Sequence, residues 1–148
     1  MKIRITRIRE GVELPEYKTA GAAAFDIPVC EGGIVPPGGS LMLPTGLVIQ
    51  APENHMLVIA PRSSTFKKTG LRIGNTVGIV DSDFCGPEDE ILLFFWNPGT
   101  EPVTIDAGMR LAQGIFIPVT RGEWDEGEPG GPNRGGWGST GGYAVGKV

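Results

Sequence analysis

Glycine and proline interrupt this chain so often that no long helix can form in it. Of 148 residues, 24 are glycine and 13 are proline. Glycine costs a helix conformational entropy, and proline removes a backbone donor and clashes with the preceding turn. The segments left between them are short and rich in β-branched and aromatic residues: "KIRITRI", "LMLPTGLVI", "HMLVIAP", "LRIGNTVGIV", "EILLFFWN" and "LAQGIFIPV". Each has the length and composition of a strand bounded by turn residues. Only "TFKKTGL" has room for a turn of helix, and no stretch sustains a helical period. Many short strands predict an all-β sandwich or barrel. From Arg121 onward the apolar runs stop. The expected organisation is a β-barrel over residues 1–120 and a flexible glycine-rich arm over 121–148.

Apolar residues make up 40% of the chain, enough for one real core. The net charge of −4 argues against coating nucleic acid, which needs a basic surface. It leaves open a local site for one phosphorylated ligand. No apolar run reaches membrane-span length. The opening "MKIRITRIRE" alternates charged and apolar residues, as a strand does and a secretion leader does not. Cys30 and Cys85 have neither metal-site nor disulfide-framework spacing, which suits two reduced thiols in a cytoplasmic protein.

Several stretches could carry chemistry, and each has a plainer reading. In "APRSSTFKKTGL", Arg62, Ser63 and Ser64 offer a guanidinium, two hydroxyls and consecutive backbone N–H groups, a good phosphate cradle. The same residues also make an ordinary solvated turn. In "GNTVGIVDSDF", apolar Val77, Ile79 and Val80 lead out to Asp81, Ser82 and Asp83. Two carboxylates at a strand end could bind a metal or act as a base, though Asp and Ser also favour turns. Asp26 follows the small residues of "AGAAAFDI", which permit close approach of a ligand or simply tight packing. Arg110 and Gln113 stand near a strand start, where a solvated edge strand is the plain alternative. His55 has no partner at metal or triad spacing and is expected at the surface. Trp96 is expected in the core. Trp124, in an acidic glycine-rich segment, suggests docking on another surface.

Taken together, "AGAAAFDI" (20–27), "PRSS" (61–64), "GNTVGIVDSDFCG" (74–86), "GMRLAQGIFIP" (108–118) and "RGGWGSTG" (134–141) resemble, in order and separation, the five motifs of the trimeric dUTP diphosphatases (dUTPases). The resemblance spans nearly the whole chain. It implies a jelly-roll-like β-barrel, a homotrimer, and three active sites shared between subunits. The implied reaction is dUTP plus water giving dUMP and pyrophosphate, which limits uracil incorporation into DNA and supplies dUMP for thymidylate synthesis.

The resemblance also implies roles. Asp81 orients the attacking water as the catalytic base. Arg62, the N–H groups near Ser63 and Ser64, and Gln113 bind the phosphates. Asn75, the backbone around Val80, and Phe84 form a pocket for uracil and deoxyribose, in which Phe84 crowds a 2′-hydroxyl. Mg²⁺ rides on the triphosphate and its water, with Asp26 contacting that water shell. The arm, through Arg134, Trp137, Gly138, Ser139 and Thr140, closes over a neighbouring subunit's nucleotide. Trp137 stacks on the base, and Ser139 and Thr140 hold the γ-phosphate.

The sequence departs from the common form in three places. The stretch between Gly86 and Trp96 is longer, with the excess in Pro87-Glu88-Asp89. The arm motif is shorter around Arg134. Ser64 stands where many members have glycine. Two rivals follow. A dCTP deaminase, alone or combined with dUTPase activity, shares the fold and the Arg-Ser-Ser motif, but needs a glutamate base near Phe94, where this chain is apolar and Glu90 lies further back. A non-catalytic, nucleotide-binding regulatory trimer would be expected to lack Asp81 or the arm motif.

Overall fold

Strand periodicity decides which side chains enter the core. Successive residues of a strand face opposite sides. In "LLFFW" (β9, Leu92–Trp96), Leu93 and Phe95 are buried while Leu92 and Trp96 face outward. The computed structural model describes residues 1–136 and contains eleven strands and one short helix. The strands are β1 (Arg4–Arg7), β2 (Phe25–Pro28), β3 (Gly33–Val35), β4 (Ser40–Pro44), β5 (Leu47–Gln50), β6 (His55–Pro61), β7 (Arg72–Ile73), β8 (Gly78–Val80), β9, β10 (Val103–Ile105) and β11 (Arg110–Pro118). The helix α1 (Thr65–Thr69) lies in "TFKKTGL", as expected. It ends where Gly70 turns left-handed at φ 73° and its N–H donates to Phe66 O.

Four antiparallel sheets surround one core. Their orders are β1-β5, β10-β3, β2-β11-β6-β8 and β4-β9-β7. Ile27, Leu47, Leu57, Leu71, Leu93, Phe95 and Ile105 are fully shielded and belong to a single packed cluster. Burying each such side chain contributes about 1.5–3 kcal/mol relative to exposure. Asn97 is buried too, and is fully used. Its Nδ2 donates to Val35 O at 3.1 Å and Glu101 O at 2.7 Å, and its Oδ1 accepts Gly99 N–H at 2.9 Å. Its role is to fold the turn after β9.

The all-β expectation holds, with local corrections. Trp96 is not in the core. It is 39% exposed, because the register that buries Phe95 must turn Trp96 outward, where Arg72 lies 6.0 Å from its ring centre. β11 is not a solvated edge but is paired on both sides, by β2 and by β6. "LMLPTGLVI" divides into β4 and β5, and "LRIGNTVGIV" into β7 and β8. His55 is half-buried, with Nδ1 3.0 Å from Glu53 O. Residues 119–136 form no strand or helix, and Trp124 on them is fully exposed.

Gly46 makes the first division possible. It adopts φ 69°, and a Cβ there would lie 2.3 Å from Val12 Cγ2. Gly46→Ala therefore combines a left-handed backbone with an overpacked neighbour. It should destabilise the fold by about 2–4 kcal/mol in urea or thermal unfolding. An unchanged midpoint would show that the turn relaxes freely.

Candidate active site

The sequence-predicted residues gather into two groups. The first forms where β2, β11 and the end of β6 meet. Register sets Asp26 of β2 opposite Gln113 of β11, and Gln113 opposite Ala60 of β6. Arg62 follows directly on β6. Its Nε lies 2.8 Å from Asp26 Oδ1, and its Nη1 donates to Arg110 O at 2.8 Å. Arg110 Nε stands 3.8 Å from Asp26 Oδ2. Gln113 Nε2 donates to Pro61 O at 3.0 Å.

The loop after Arg62 is pinned beneath by Thr65, which is buried and donates from Oγ1 to Leu111 O at 2.7 Å. Thr65 follows the motif directly, and its anchoring role was not apparent from the sequence. Among the described residues, the N–H groups of Ser63 and Ser64 form no backbone hydrogen bond. The group therefore presents a guanidinium, open backbone donors and an amide side chain, a set suited to anionic oxygens.

Asp26 is 9% exposed and has one oxygen paired with Arg62. Its other oxygen, Oδ2, is buried without a hydrogen-bond partner. An orphaned carboxylate oxygen needs a donor. A water from a hydrated Mg²⁺ would supply one, so the residues fit a water-mediated cation. Among the described residues no three acidic, histidine or cysteine side chains cluster for direct ligation.

The second group lines a cleft of about 310 Å³ on the other side of β8. Asn75, Val80, Asp81 and Phe84 all contribute to it. Asn75 sits in the tight turn joining β7 to β8, where Thr76 takes φ 66°. Val80 is buried and pairs with Leu57, while Asp81 and Phe84 are exposed at the cleft. Phe84 N–H donates to Asp81 O at 3.2 Å, which fixes the turn that presents both side chains.

Glu90 belongs to the same cleft wall, a place not foreseen from the sequence. Its Oε1 accepts Arg9 Nε at 3.0 Å and Gly46 N–H at 2.7 Å, and its Oε2 accepts Arg9 Nη2 at 2.8 Å. The Arg9 hydrogen bonds hold the Glu90 carboxyl below the usual carboxylate range. Such an anion is a poor proton acceptor, and the position near Phe94 remains apolar.

One chain does not bring Asp81 to Arg62. Val80 stands opposite Leu57, five residues before Arg62 along β6, and β8 continues away from Arg62 toward Asp81. At the rise of an extended strand this is roughly 17 Å or more. Arg134, at the other motif, is exposed. Trp137, Gly138, Ser139 and Thr140 lie outside the described residues.

Comparison with known proteins bears on family and fold. A family model described as dUTPase matches residues 10–140. The chain is 39% identical over 147 residues to a deoxyuridine 5′-triphosphate nucleotidohydrolase of Shewanella sediminis, covering 95% of each chain. Its structure resembles a dUTPase of Streptococcus mutans with a TM-score of 0.75 at 29% identity, covering 81% of this chain and 98% of that one. It also resembles the dUTPase of Staphylococcus bacteriophage 80alpha with dUPNHPP, with a TM-score of 0.85 at 19% identity, covering 95% of this chain and 98% of that one. The last likeness is one of fold. With a family model matching residues 10–140 and a relative 39% identical over 95% of each chain, the chain belongs to the dUTPase family.

Proposed function

We propose that this protein hydrolyses dUTP to dUMP and pyrophosphate in a site assembled from neighbouring copies of the chain, in a homotrimer. The observation that supports the shared site is the separation of the half-sites. Asp81 follows Val80 toward the start of β6, whereas Arg62, Asp26 and Gln113 gather at its end. A water-activating carboxylate must lie within a water molecule of the phosphorus it serves. A separation of roughly 17 Å supports a site in which the carboxylate of one copy serves phosphates held by another. The names of the relatives support dUTP as the substrate.

In the proposed mechanism, uracil enters the cleft between the 75–80 turn and Phe84. Backbone groups around Val80 and the Asn75 side chain match its polar edge. A close fit there would exclude a thymine methyl, and a cytosine edge would mismatch groups set for uracil. Asp81 orients a water for in-line attack on the α-phosphorus and takes its proton. The phosphorus–oxygen bond to the leaving pyrophosphate then breaks. Arg62, Gln113 and the Ser63 and Ser64 N–H groups spread the charge on the phosphates, and most of the rate comes from this positioning. Mg²⁺ would add charge neutralisation there, held through water by Asp26. Arg134, Trp137, Gly138, Ser139 and Thr140 would cover the nucleotide from a further copy, closing the site against bulk water. Two free thiols suit a cytoplasmic location. Among the described residues no helix is long and apolar enough to cross a membrane.

Pyrophosphate release from dUTP, dCTP, dTTP and UTP in parallel tests the assignment. dUTP should be strongly preferred, and dUMP should be the nucleoside product. Deamination of dCTP would instead favour the rival reading. Asp81→Asn should lower kcat by roughly 10²–10⁴-fold.

The shared site has its own test. Asp81→Asn and Arg62→Ala chains should each be nearly inactive alone. When co-assembled in equal amounts, about a quarter of the sites combine two intact halves, so about a quarter of the activity should return. No recovery in verified mixed trimers would place both halves in one chain. Removing residues 134–148 should leave the barrel folded and lower kcat/KM by roughly 10²-fold or more. Full turnover after truncation would rule out a closing role for this segment.

A further inference from the structure

Residues 81–90 carry Asp81 and Phe84 into the cleft and return as its wall at Glu90. Most hydrogen bonds of this segment are internal. Cys85 N–H donates to Asp83 O, and Asp89 Oδ2 accepts Gly86 N–H at 2.6 Å. Asp89 is one of the additional residues of the long hairpin tip, and this bond closes that tip on itself. Among the described residues, Glu90 is the one side chain of 81–90 that hydrogen-bonds outside the segment.

The anchor has the geometry of a rigid joint. The Arg9 guanidinium meets Glu90 through two parallel bonds, and Gly46 N–H adds a third. A bidentate pair fixes orientation as well as distance. The Glu90 side chain is 12% exposed, so solvent cannot easily replace its partners. Arg9 also meets Glu31 at 2.6 Å, but both side chains of that pair are exposed, so it adds little to the joint. The backbone behind the joint is also tied: Ile91 N–H donates to Leu47 O, and Ile91 O accepts both Thr45 N–H and Thr45 Oγ1. Phe84, by contrast, is 41% exposed, with only segment-internal backbone bonds near it. It lies between two anchors of the segment, the turn on Asp81 that follows β8 and the joint at Glu90.

We propose that Glu90, clamped by Arg9 and Gly46, is a positioning residue that sets the Phe84 wall of the cleft and so governs rejection of ribonucleotides. The inference rests on the dUTPase assignment above. Crowding against a single 2′-hydroxyl is a short-range effect, and a wall that can yield by a fraction of an ångström loses it. A loosened wall weakens substrate placement more than it affects Asp81, the water-orienting carboxylate at the other end of the segment.

The test compares kcat and KM for dUTP and UTP in the full-length enzyme and in Glu90→Gln, Arg9→Lys and Glu31→Gln. Glu90→Gln keeps the size but removes the charge, and Arg9→Lys keeps the charge but loses the two-pronged bond. Both should lower the dUTP-to-UTP ratio of kcat/KM by about tenfold, with the change for dUTP mainly in KM. Glu31→Gln should leave the ratio as it is. If Glu90→Gln fails to fold, Arg9→Lys reads the same ratio. A folded variant of either residue that keeps the wild-type ratio, or that loses kcat for both nucleotides alike, overturns the proposal. A wild-type chain that does not hydrolyse dUTP overturns the assignment and this inference together, whereas wild-type discrimination that survives in the variants overturns the inference alone.

Discussion

The ladder between β6 and β11 is the constraint on which the rest of the structure depends. It runs through seven residue pairs, from Ala112 opposite Pro61 to Pro118 opposite His55. Both strands lie inside the four-stranded sheet, so each is hydrogen-bonded on two sides along part of its length. The ladder sets how far apart the ends of β6 are, and those ends separate Asp81 from Arg62. It also demands Gly114, because a Cβ there would lie 2.5 Å from the Phe25 ring. Phe25 precedes Asp26 on β2, so the packing at Gly114 and the placement of the buried carboxylate are coupled.

At the phosphate end, a partly buried ion pair does the positioning. The low exposure of Asp26 would make its charge costly without the Arg62 guanidinium at 2.8 Å. Such a pair contributes little net stability, yet removing one partner leaves an uncompensated charge. Its value here is geometric. Arg62 is held by Asp26 and by Arg110 O before any ligand arrives, so little side-chain entropy remains to be lost on binding. Thr65 fixes the adjoining loop from beneath in the same way.

The base end is organised differently. The cleft is built from a tight turn and a surface segment, and its shape depends on contacts distant in sequence. The ion pair of Glu90 with Arg9 joins residues 81 positions apart. That pairing also removes Glu90 from consideration as a deaminase base, because both its oxygens are already occupied.

Local chemistry made much of this protein legible in its sequence. Glycine and proline spacing excluded long helices and pointed to short strands, and "TFKKTGL" pointed to the one helix among the described residues. The ordered motifs marked Asp26, Arg62, Asn75, Asp81, Phe84 and Gln113 as candidates through their resemblance to those of the dUTPases. Tertiary structure decided which of these residues meet. Nothing local in "ILLFFWN" states that Phe95 faces inward and Trp96 outward, since a continuous apolar run has no visible phase until a sheet pairs with it. Nothing near Arg110 shows that β11 is covered on both edges. Glu90 and Arg9 look like ordinary surface charges until folding brings β1 beside the β4–β5 turn and the wall of the cleft. Composition and spacing fix what a segment can form, whereas register between distant strands fixes which faces and which charges come together, and register is a property of the whole packed sheet.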